Sequence, residues 1–399
     1  MQSLFASLPP APGDAIFALV EAFQKDPSPR KVSLSIGTYF DEDGNLPVMT
    51  AVRLASQMLA LGDMPHPYLP IPGLVSYRDA ARDLVLGTLD DPLRAATLQT
   101  VGGTGALKLA ADLLRRSCPQ ARVWLSDPTW ENHEQIFHQA GFTVQRYPYY
   151  DAASGQLRFE CLLQALRSAP AGDIIVLHAS CHNPTGNDLD AEQWDGLIAL
   201  CQRQGLIPLF DLAYQGFGQG LEADAAPIRT ALRAGLEFLV ANSFSKNFSL
   251  YGERCGALNI VCRDAAAAQG VLGQIKLLIR GNYSTPPTYG AALVAQVLNT
   301  PSLRQAWEQE LGRMRERLTT LRHGLHEALA RYTGQPEAWG CIRRQQGLFS
   351  YLPLSPKQVD TLRQAHAVYL LRSGRLCVAG LTRANTDYVA QAIAAVSRA

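Results

Sequence analysis

The chain has no excess of charge of either sign. Among its 399 residues, Lys and Arg number 36 and Asp and Glu number 35, which leaves a net charge of +1. Because binding to a polyanion depends on a basic surface, this balance argues against nucleic acid as the main partner. With 47% hydrophobic and 18% charged residues, the composition is that of a folded globular protein rather than a disordered one.

Long apolar runs and paired cysteines are also missing. Residues 1–12 have no basic start followed by an apolar stretch, so we predict neither a signal peptide nor a membrane span. The eight cysteines include no Cys-x-x-Cys pair, and no group of Cys and His has the spacing of zinc ligands. We therefore predict reduced, mostly buried thiols, no metal site and a cytoplasmic location.

Alternating patterns run from about residue 97 to residue 262. Helical spacing is found over 105–116 and 191–204, among short apolar runs typical of buried strands at 122–126, 141–147, 173–179, 206–210, 238–241 and 258–262. Strands that alternate with helices predict an α/β fold in which helices flank a mostly parallel sheet.

The pattern changes near Pro301. Residues 303–332 have helical spacing, and strand-like pieces at 347–352 and 376–379 are followed by a closing helix from about Asp387. A mass of 43.5 kDa exceeds what one hydrophobic core usually supports. We therefore predict a second, smaller α+β domain that packs closely against the first.

A glycine-rich segment, 102–106, lies between a predicted strand and a predicted helix. Backbone N–H groups and the helix dipole can hold a phosphate at such a position. The segment matches neither the Walker pattern nor G-x-G-x-x-G, because Lys108 replaces the third glycine and no Ser or Thr follows it. On its own, the segment is equally well explained as a simple turn.

A second segment places an amine beside groups that bind phosphate. A lone lysine such as Lys246 is usually a solvated surface cation. Here Ser243 and Ser245 precede it and Arg254 follows it, so hydroxyls and a guanidinium could bind a phosphate next to its amine. A ligand that carries both a phosphate and an aldehyde would explain the combination.

Three polar residues follow predicted strands within a few positions. Asp211 ends the run 206–210, Tyr214 comes three residues later, and Asn183 follows the run 173–179. The carboxyl ends of parallel strands commonly form ligand sites, which makes these residues candidates. The plain alternative is that Asp caps a turn and that Asn-Pro-Thr-Gly is an ordinary turn sequence.

Together these segments resemble the aspartate and aromatic amino acid aminotransferases, a pyridoxal-phosphate-dependent family. The resemblance spans essentially the whole chain. It rests on eight segments in order: Ser-Ile-Gly-Thr-Tyr (35–39), Gly-Gly-Thr-Gly-Ala-Leu (102–107), Asp-Pro-Thr-Trp-Glu-Asn-His (127–133), Cys-His-Asn-Pro-Thr-Gly (181–186), Phe-Asp-Leu-Ala-Tyr-Gln-Gly-Phe (210–217), Ser-Phe-Ser-Lys-Asn-Phe (243–248), Ile-Arg-Gly-Asn-Tyr-Ser (279–284) and Ser-Gly-Arg-Leu-Cys-Val-Ala-Gly (373–380).

The resemblance implies a cofactor site around Lys246. Its amine would bond the aldehyde of pyridoxal 5'-phosphate and then carry the proton between the substrate α-carbon and the cofactor. Asp211 would pair with the pyridinium nitrogen, supported by His133 and His178, for which a purely structural role is the alternative. The other implied cofactor contacts are Trp130, Asn183 and the catalytic Tyr214 at the ring, and Gly103, Thr104, Ser243, Ser245, Arg254 and a second subunit's Tyr68 at the phosphate.

The resemblance also implies how a substrate is bound. Arg375 would hold the α-carboxylate through two parallel hydrogen bonds, next to the backbone of Gly37. Trp130 and Asn183 would contact the substrate as well. Arg280 would reach across a subunit interface to the side-chain carboxylate of a dicarboxylic substrate. A homodimer with shared active sites, acting on small amino acids and 2-oxo acids, is therefore expected.

Phe40 and Leu46 bear on the preferred substrate. Aspartate-preferring members of the family usually have a lysine and a threonine at these places, and apolar surface contributes about 25 cal/mol per Å² of ring that it buries. We expect tyrosine and phenylalanine as amino donors to 2-oxoglutarate, with aspartate and glutamate also accepted. The alternatives are an aspartate aminotransferase, a β-elimination or decarboxylation on the same cofactor, and a non-catalytic protein that binds the cofactor.

The resemblance further implies a domain arrangement. Residues 1–13 would form an arm over the partner subunit, and residues 49–315 a large cofactor-binding domain with a mixed, mostly parallel sheet. Residues 14–48 and 316–399 would together form the small α+β domain. Closure of the small domain on substrate would exclude water from the site.

Overall fold

The computed structural model describes residues 15–62, 67–152 and 154–398, together with Phe5 and Gly13. Apart from those two residues, the predicted arm at residues 1–13 lies outside this range. All eight thiols are free and six of them are buried, which confirms the prediction from the cysteine pattern. In the part of the chain that is described, no helix is both long and apolar enough to cross a membrane.

The helices and strands follow the predicted alternation closely. Among the described residues the α-helices are α1 Ala15–Lys25, α2 Thr50–Leu61, α3 Val75–Leu86, α4 Gly102–Ser117, α5 Glu131–Gln139, α6 Phe159–Arg167, α7 Ala191–Gln204, α8 Leu221–Arg233, α9 Ala265–Asn282, α10 Tyr289–Asn299, α11 Pro301–Thr333, α12 Cys341–Arg344, α13 Pro356–His366 and α14 Thr386–Ser397, with short 3-10 turns at Pro92–Arg94, Pro336–Trp339 and Val378–Gly380. The strands are β1 Val32–Ser33, β2 Ala95–Val101, β3 Val123–Asp127, β4 Val144–Pro148, β5 Tyr150–Asp151, β6 Gln156–Leu157, β7 Ile174–His178, β8 Ile207–Leu212, β9 Phe238–Ser243, β10 Cys255–Val261, β11 Phe349–Tyr351, β12 Val368–Tyr369 and β13 Arg375–Cys377.

A seven-stranded sheet in the order β2-β10-β9-β8-β7-β3-β4 forms the centre of the molecule. β10 is antiparallel to both β2 and β9, whereas the remaining pairs are parallel. This mixed, mostly parallel sheet with flanking helices confirms the predicted fold class. Because β2 and β9 are both antiparallel to β10, they run in the same direction, and the carboxyl ends of β2, β7, β8 and β9 lie at one edge.

Apolar side chains alternate between the two faces of the sheet, as period-two geometry requires. Phe210 and Val240 pack into the core cluster that includes Leu197 from α7. Leu209 and Leu239 pack on the opposite side with the helices α4, α5 and α9. Helices therefore cover both faces, and the strands that carry site residues are almost entirely buried.

The later part of the chain is built on the long helix α11. It continues through Gly312 and Gly324, begins with Pro301 in its first turn and ends at Gly334, which has φ 70°. Two small sheets lie beside it, one pairing β1 with β12 in parallel and the other pairing β11 with β13 antiparallel. The first of these pairs joins the N-terminal part of the described chain to its C-terminal part.

Candidate active site

A cavity of about 460 Å³ opens at the carboxyl edge of the seven-stranded sheet. Residues at the ends of β2, β7, β8 and β9 line it, together with residues of β11, β13 and the segment that follows β1. The sequence-predicted residues that line it are Gly37, Gly103, Thr104, Trp130, His178, Asn183, Asp211, Tyr214, Ser243, Ser245, Lys246, Arg254 and Arg375.

Hydroxyl and guanidinium groups meet at one end of the cavity. Ser243 Oγ donates to Ser245 Oγ at 3.1 Å. Arg254 Nη1 lies 3.2 Å from Ser245 Oγ, to which it donates. Gly102 begins α4 with φ +66°, and a Cβ at this position would lie only 2.5 Å from Arg254 Nη2. Glycine therefore lets the guanidinium approach the start of the helix, and the assembled donors suit a phosphate.

Lys246 lies beside this group of donors. Its Nζ is 4.7 Å from the ring centroid of Tyr214. Burial lowers the pKa of Lys246 to about 8; Asp211 opposes this shift, while Arg254 and Arg375 add to it. More of the amine is therefore neutral near pH 7 than in an ordinary lysine, and a neutral amine can act as a nucleophile and as a base.

Asp211 is buried in β8 and is held by a chain of two hydrogen bonds. His133 Nε2 lies 3.1 Å from Asp211 Oδ2, and Thr129 Oγ1 lies 2.8 Å from His133 Nδ1. Burial raises the pKa of Asp211, but the hydrogen bond from His133 and the nearby charge of Lys246 outweigh it and hold this pKa below its ordinary value. An ionised carboxylate can only accept, so Nε2 donates to Asp211; in a neutral imidazole, Nδ1 then accepts from the Thr129 hydroxyl.

A second pair of buried histidines lies behind this group. The ring of His178 lies 5.1 Å from that of His133 and 4.4 Å from that of His182. The hydroxyls of Ser126 and Thr185 hydrogen-bond the two ring nitrogens of His182. Neither ring nitrogen of His178 has a hydrogen-bond partner within the described chain, and burial lowers the pKa of His178 to about 3. His178 is thus a neutral imidazole in the cavity lining, and its two ring nitrogens are buried without a partner in the described chain.

Arg375 lies at the other end of the cavity and is buried. Its Nη1 donates to Asn183 Oδ1 at 3.1 Å, and its Nη2 donates to the Ser35 carbonyl at 2.8 Å. Its Cζ lies 4.3 Å from the ring centroid of Phe349. A Cβ on Gly37 would lie 2.7 Å from Phe349 Cζ, so a side chain at position 37 would collide with that ring. The guanidinium is thereby oriented before a carboxylate arrives.

Four residues singled out in the sequence lie elsewhere. Tyr68 is 93% exposed, and Arg280 is exposed at the end of α9, where its Nη1 donates to Ser284 Oγ. Neither belongs to the cavity of its own chain. Phe40 lines a different cavity, of about 550 Å³, and Leu46 is largely exposed, so neither of these two residues lines the cavity that holds Lys246.

Several residues of the site were not predicted from the sequence. Ile36, Tyr251 and Phe349 line the cavity, as do Glu131 and Asn132 at the start of α5. Tyr251 lies in the segment that follows Lys246, and Phe349 lies in a predicted strand. The local sequence around each of them does not distinguish a site residue from a core residue. His133 was predicted, and the structure places it behind Asp211 rather than in the cavity wall.

The fold also brings together a group that could ligate a metal. One ligand atom each of His133, His178 and Asp211 lies within 4.8 Å of the others. The three residues come from α5, β7 and β8, which is why spacing along the sequence showed no cluster. Because His133 and Asp211 already hydrogen-bond each other, we interpret the group as the support of an oriented carboxylate.

Comparison with known proteins gives consistent results. The family model for aminotransferase class I and II matches residues 29–393. The chain is 50% identical to an aromatic-amino-acid aminotransferase of Escherichia coli K12 over 96% of this chain and 98% of the relative. It is 46% identical to an aspartate aminotransferase of Pseudomonas aeruginosa, over 99% of this chain and the whole of that protein.

Solved structures agree with the sequence comparisons. An aromatic-amino-acid aminotransferase from Burkholderia pseudomallei, covalently bound to pyridoxal phosphate, superposes with a TM-score of 0.96 at 48% sequence identity. The match covers 99% of each chain.

Proposed function

Because the chain belongs to the aminotransferases of class I and II, we propose that it transfers the amino group of tyrosine or phenylalanine to 2-oxoglutarate and also accepts aspartate and glutamate. One observation carries the proposal: Lys246, Asp211, Arg254 and Arg375 line a single cavity. A protein that only bound the cofactor would have no use for a second guanidinium at the far end. The names of the relatives, which include both aromatic and aspartate enzymes, support the two substrate classes.

The cofactor is pyridoxal 5'-phosphate, and the residues of the cavity fit it. Ser243, Ser245 and Arg254 form a donor group where a phosphate can lie, and Asp211 supplies a negative charge deeper in the site. The free ring nitrogens of His178 mark a polar position without a partner in the described chain. When bound, the cofactor supplies an aldehyde for amines and a protonated ring that accepts electrons from the substrate α-carbon.

Lys246 performs the covalent and proton-transfer work in this proposal. With a pKa of about 8, roughly a tenth of the amine is neutral at pH 7, which is enough to bond an aldehyde. With the cofactor bound, Lys246 Nζ would be the group that accepts a proton from the substrate α-carbon and later returns it. Its neighbour Tyr214 is buried and can donate a hydrogen bond from its hydroxyl within the cavity.

Asp211 keeps its negative charge through its hydrogen bond with His133. At a separation of roughly 4 Å and an effective dielectric constant near 20, a charge pair with the ring nitrogen is worth about 4 kcal/mol. That corresponds to about three pK units and would keep the ring nitrogen protonated at neutral pH. Trp130 lines the same cavity and would cover a face of the ring.

Visible absorption tests the reaction directly. The cofactor band of the purified protein should disappear when phenylalanine is added and return when 2-oxoglutarate is added. A band that responds to neither compound would refute transamination and favour a binding protein. Release of ammonia or carbon dioxide, with the band returning in the absence of 2-oxoglutarate, would indicate elimination or decarboxylation instead.

An aspartate-specific enzyme is the second candidate, because one relative at 46% identity carries that name. The discriminating measurement is kcat/KM for phenylalanine, tyrosine and aspartate with 2-oxoglutarate as the common acceptor. We expect the aromatic values to be at least comparable to the aspartate value. A strong preference for aspartate would overturn the aromatic assignment.

We also propose a homodimer with shared active sites. Tyr68 and Arg280 are exposed and lie outside their own chain's cavity, which suits side chains that complete a neighbouring site. Large apolar residues that are near Tyr68 or Arg280 in the sequence are also exposed, which supports a contact surface between subunits. They are Leu54, Met58, Leu61, Val75, Leu277 and Tyr289. Burial of such residues between subunits would stabilise the dimer.

Mixed subunits test this arrangement. Lys246→Ala and Arg280→Ala proteins, each nearly inactive on aspartate, would be unfolded together and refolded. A hybrid dimer with shared sites contains one intact site, so the mixture should recover about a quarter of wild-type activity. No recovery, in a mixture shown by mass to contain hybrids, would mean that Arg280 serves only its own chain.

The domain division and location remain part of the proposal. Pairing of β1 with β12 supports the grouping of residues 14–48 with 316–399 as a small domain, against 49–315 as the large one. The free thiols support a cytoplasmic location. Trypsin cleavage with and without substrate would test closure, which should protect the small-domain segments.

A further inference from the structure

Arg322 is a buried cation whose hydrogen-bond partners are all neutral. It lies on α11 with 3% of its surface exposed. Its guanidinium donates to the carbonyl oxygens of Gly347 at 2.8 Å and Phe349 at 3.0 Å, and to Ser350 Oγ at 3.3 Å. Burial lowers the pKa of Arg322 to about 10, which leaves it charged at neutral pH. Burial of a charge without an ion-pair partner among its hydrogen bonds costs free energy. The contacts of Arg322 are therefore expected to serve a purpose that offsets this cost.

All three acceptors belong to one short segment, 347–350. Gly347 turns the chain with φ +74°, and a Cβ there would lie 2.5 Å from Cys181 Cβ, so the segment is closely packed against residues 181–186. The neighbouring Gln346 N–H donates to the Gly186 carbonyl at 2.6 Å. Arg322, which is not part of the cavity lining, therefore holds this turn through three hydrogen bonds.

Segment 347–350 contains Phe349, whose ring lines the cavity beside Arg375. Phe349 supports the Arg375 guanidinium at 4.3 Å and meets the ring of Tyr214 edge-on at a centroid distance of 5.8 Å. Its ring also fills the space beside Gly37. A shift of the Phe349 backbone would move all three contacts, because the ring has no room to compensate.

We propose that Arg322 is a positioning residue for substrate binding, which holds the carbonyls of Gly347 and Phe349 and so fixes the ring on which the Arg375 guanidinium rests. The inference depends on the proposed function through the binding of a substrate carboxylate by Arg375. A planar fork of donors suits this task, because it can hold several oxygens of one turn at once. A lysine would offer one nitrogen and a less defined direction.

The test measures carboxylate affinity in the complete protein with its cofactor bound. The probe is 3-phenylpropionate, which carries a carboxylate and an aromatic ring but no amine and therefore does not react. Titration calorimetry gives its Kd for wild type, Arg322→Lys and Arg322→Met, and steady-state kinetics give kcat and KM for phenylalanine. Arg313→Met is the matched control, because Arg313 is an exposed residue of the same helix.

Arg322→Met should weaken 3-phenylpropionate binding by about tenfold or more and raise KM for phenylalanine by a similar factor, with kcat lowered less than about threefold. Arg322→Lys should lie between this variant and wild type. Affinity for pyridoxal 5'-phosphate should stay unchanged in both, since Arg322 contacts none of the phosphate-end residues. A residue that merely stabilised the fold would not weaken carboxylate binding selectively in a protein that is folded.

The inference is overturned if folded Arg322 variants bind 3-phenylpropionate as tightly as wild type, or if cofactor affinity falls by the same factor. Should Arg322→Met fail to fold, Arg322→Lys decides between these outcomes. Failure of the proposed function is a separate result, because it would appear as a lack of turnover in wild type. An active wild type with unaltered Arg322 variants would refute only the inference.

Discussion

The two ends of the cavity are built in different ways. At one end, Asp211 and Ser243 lie in β8 and β9, inside a sheet that helices cover on both faces. At the other end, Arg375 lies on β13, whose ladder with β11 spans three residue pairs. At the sheet end, the backbone hydrogen bonds between long strands fix the positions of the side chains. The position of Arg375 depends instead on its contact with the Phe349 ring and on hydrogen bonds to Asn183 and Ser35.

With the proposed domain division, this difference would make one site rigid for chemistry and adjustable for substrates. The sheet end must keep an amine, a carboxylate and a phosphate group in fixed relation, and seven paired strands do this well. The Arg375 end belongs to the segments that we propose to form the small domain, so it can approach a bound substrate. A substitution at one end should therefore leave the other end intact, and the unchanged end provides the reference.

The largest effect is expected at Lys246. Lys246→Ala should lower kcat by about 10⁴-fold or more while the cofactor still binds, because one amine is both nucleophile and proton carrier. Single-turnover absorbance would measure the loss, and Lys357→Ala, at an exposed position, should behave as wild type. Turnover within about tenfold of wild type would contradict the catalytic role.

Arg375 should show a smaller loss that is confined to the substrate. Two charge-assisted hydrogen bonds are worth about 3–6 kcal/mol together, so Arg375→Ala should lower kcat/KM by roughly 10³-fold. Arg375→Lys should recover part of this, since charge is kept and the fork is lost. Arg254→Ala is the counterpart at the sheet end and should weaken cofactor binding instead. If Arg375→Ala and Arg254→Ala weakened cofactor binding equally, the proposed difference in role between the two ends would be wrong.

The stability of the cofactor-free protein should depend on pH through Lys246. Its pKa of about 8 lies below the ordinary value of 10.5, so below pH 8 folding must bury a charged amine. Lys246→Met should therefore raise the free energy of unfolding at pH 7, and this gain should shrink as pH rises from 8 towards 10.5, where the unfolded wild type also loses its proton. Urea unfolding of both proteins at pH 7 and pH 10 measures this difference in the free energy of unfolding. A gain that is independent of pH would point to packing alone.

The smallest effect is expected at Thr129, which reaches the chemistry only through His133. Thr129→Val removes the hydroxyl that is hydrogen-bonded to His133 Nδ1, so the imidazole can turn and its bond to Asp211 weakens. We expect kcat to fall by about three- to tenfold, because one neutral hydrogen bond is worth about 1 kcal/mol. Thr129→Ser keeps the hydroxyl and should retain activity. Equal losses in both variants would refute an orienting role.

Much of the sheet end follows from local sequence. The apolar runs that predict strands correspond to β3, β4, β7, β8, β9 and β10, because a buried strand must be apolar on both faces. Since parallel strands end at one edge, Asp211, Asn183 and Ser243 could be expected to converge there. The roles assigned to these residues remain predictions.

The Arg375 end could not be read from the sequence in the same way. Arg375 and Asn183 are 192 positions apart, and the Tyr251 hydroxyl accepts from the Tyr39 backbone across 212 positions. Arg322 lies within the long helix α11, and the helical spacing of the sequence does not show that this arginine is buried. Nothing in the local pattern shows that its guanidinium reaches the turn below Phe349.

The sequence by itself determined which reactive groups are available: an amine, a carboxylate near strand ends, and arginines for anions despite a net charge of only +1. Tertiary structure alone decided their protonation and direction. Burial lowers the pKa of Lys246, and the bond from His133 keeps Asp211 ionised. Desolvation and orientation depend on every atom packed around a group, and these atoms come from distant parts of the chain.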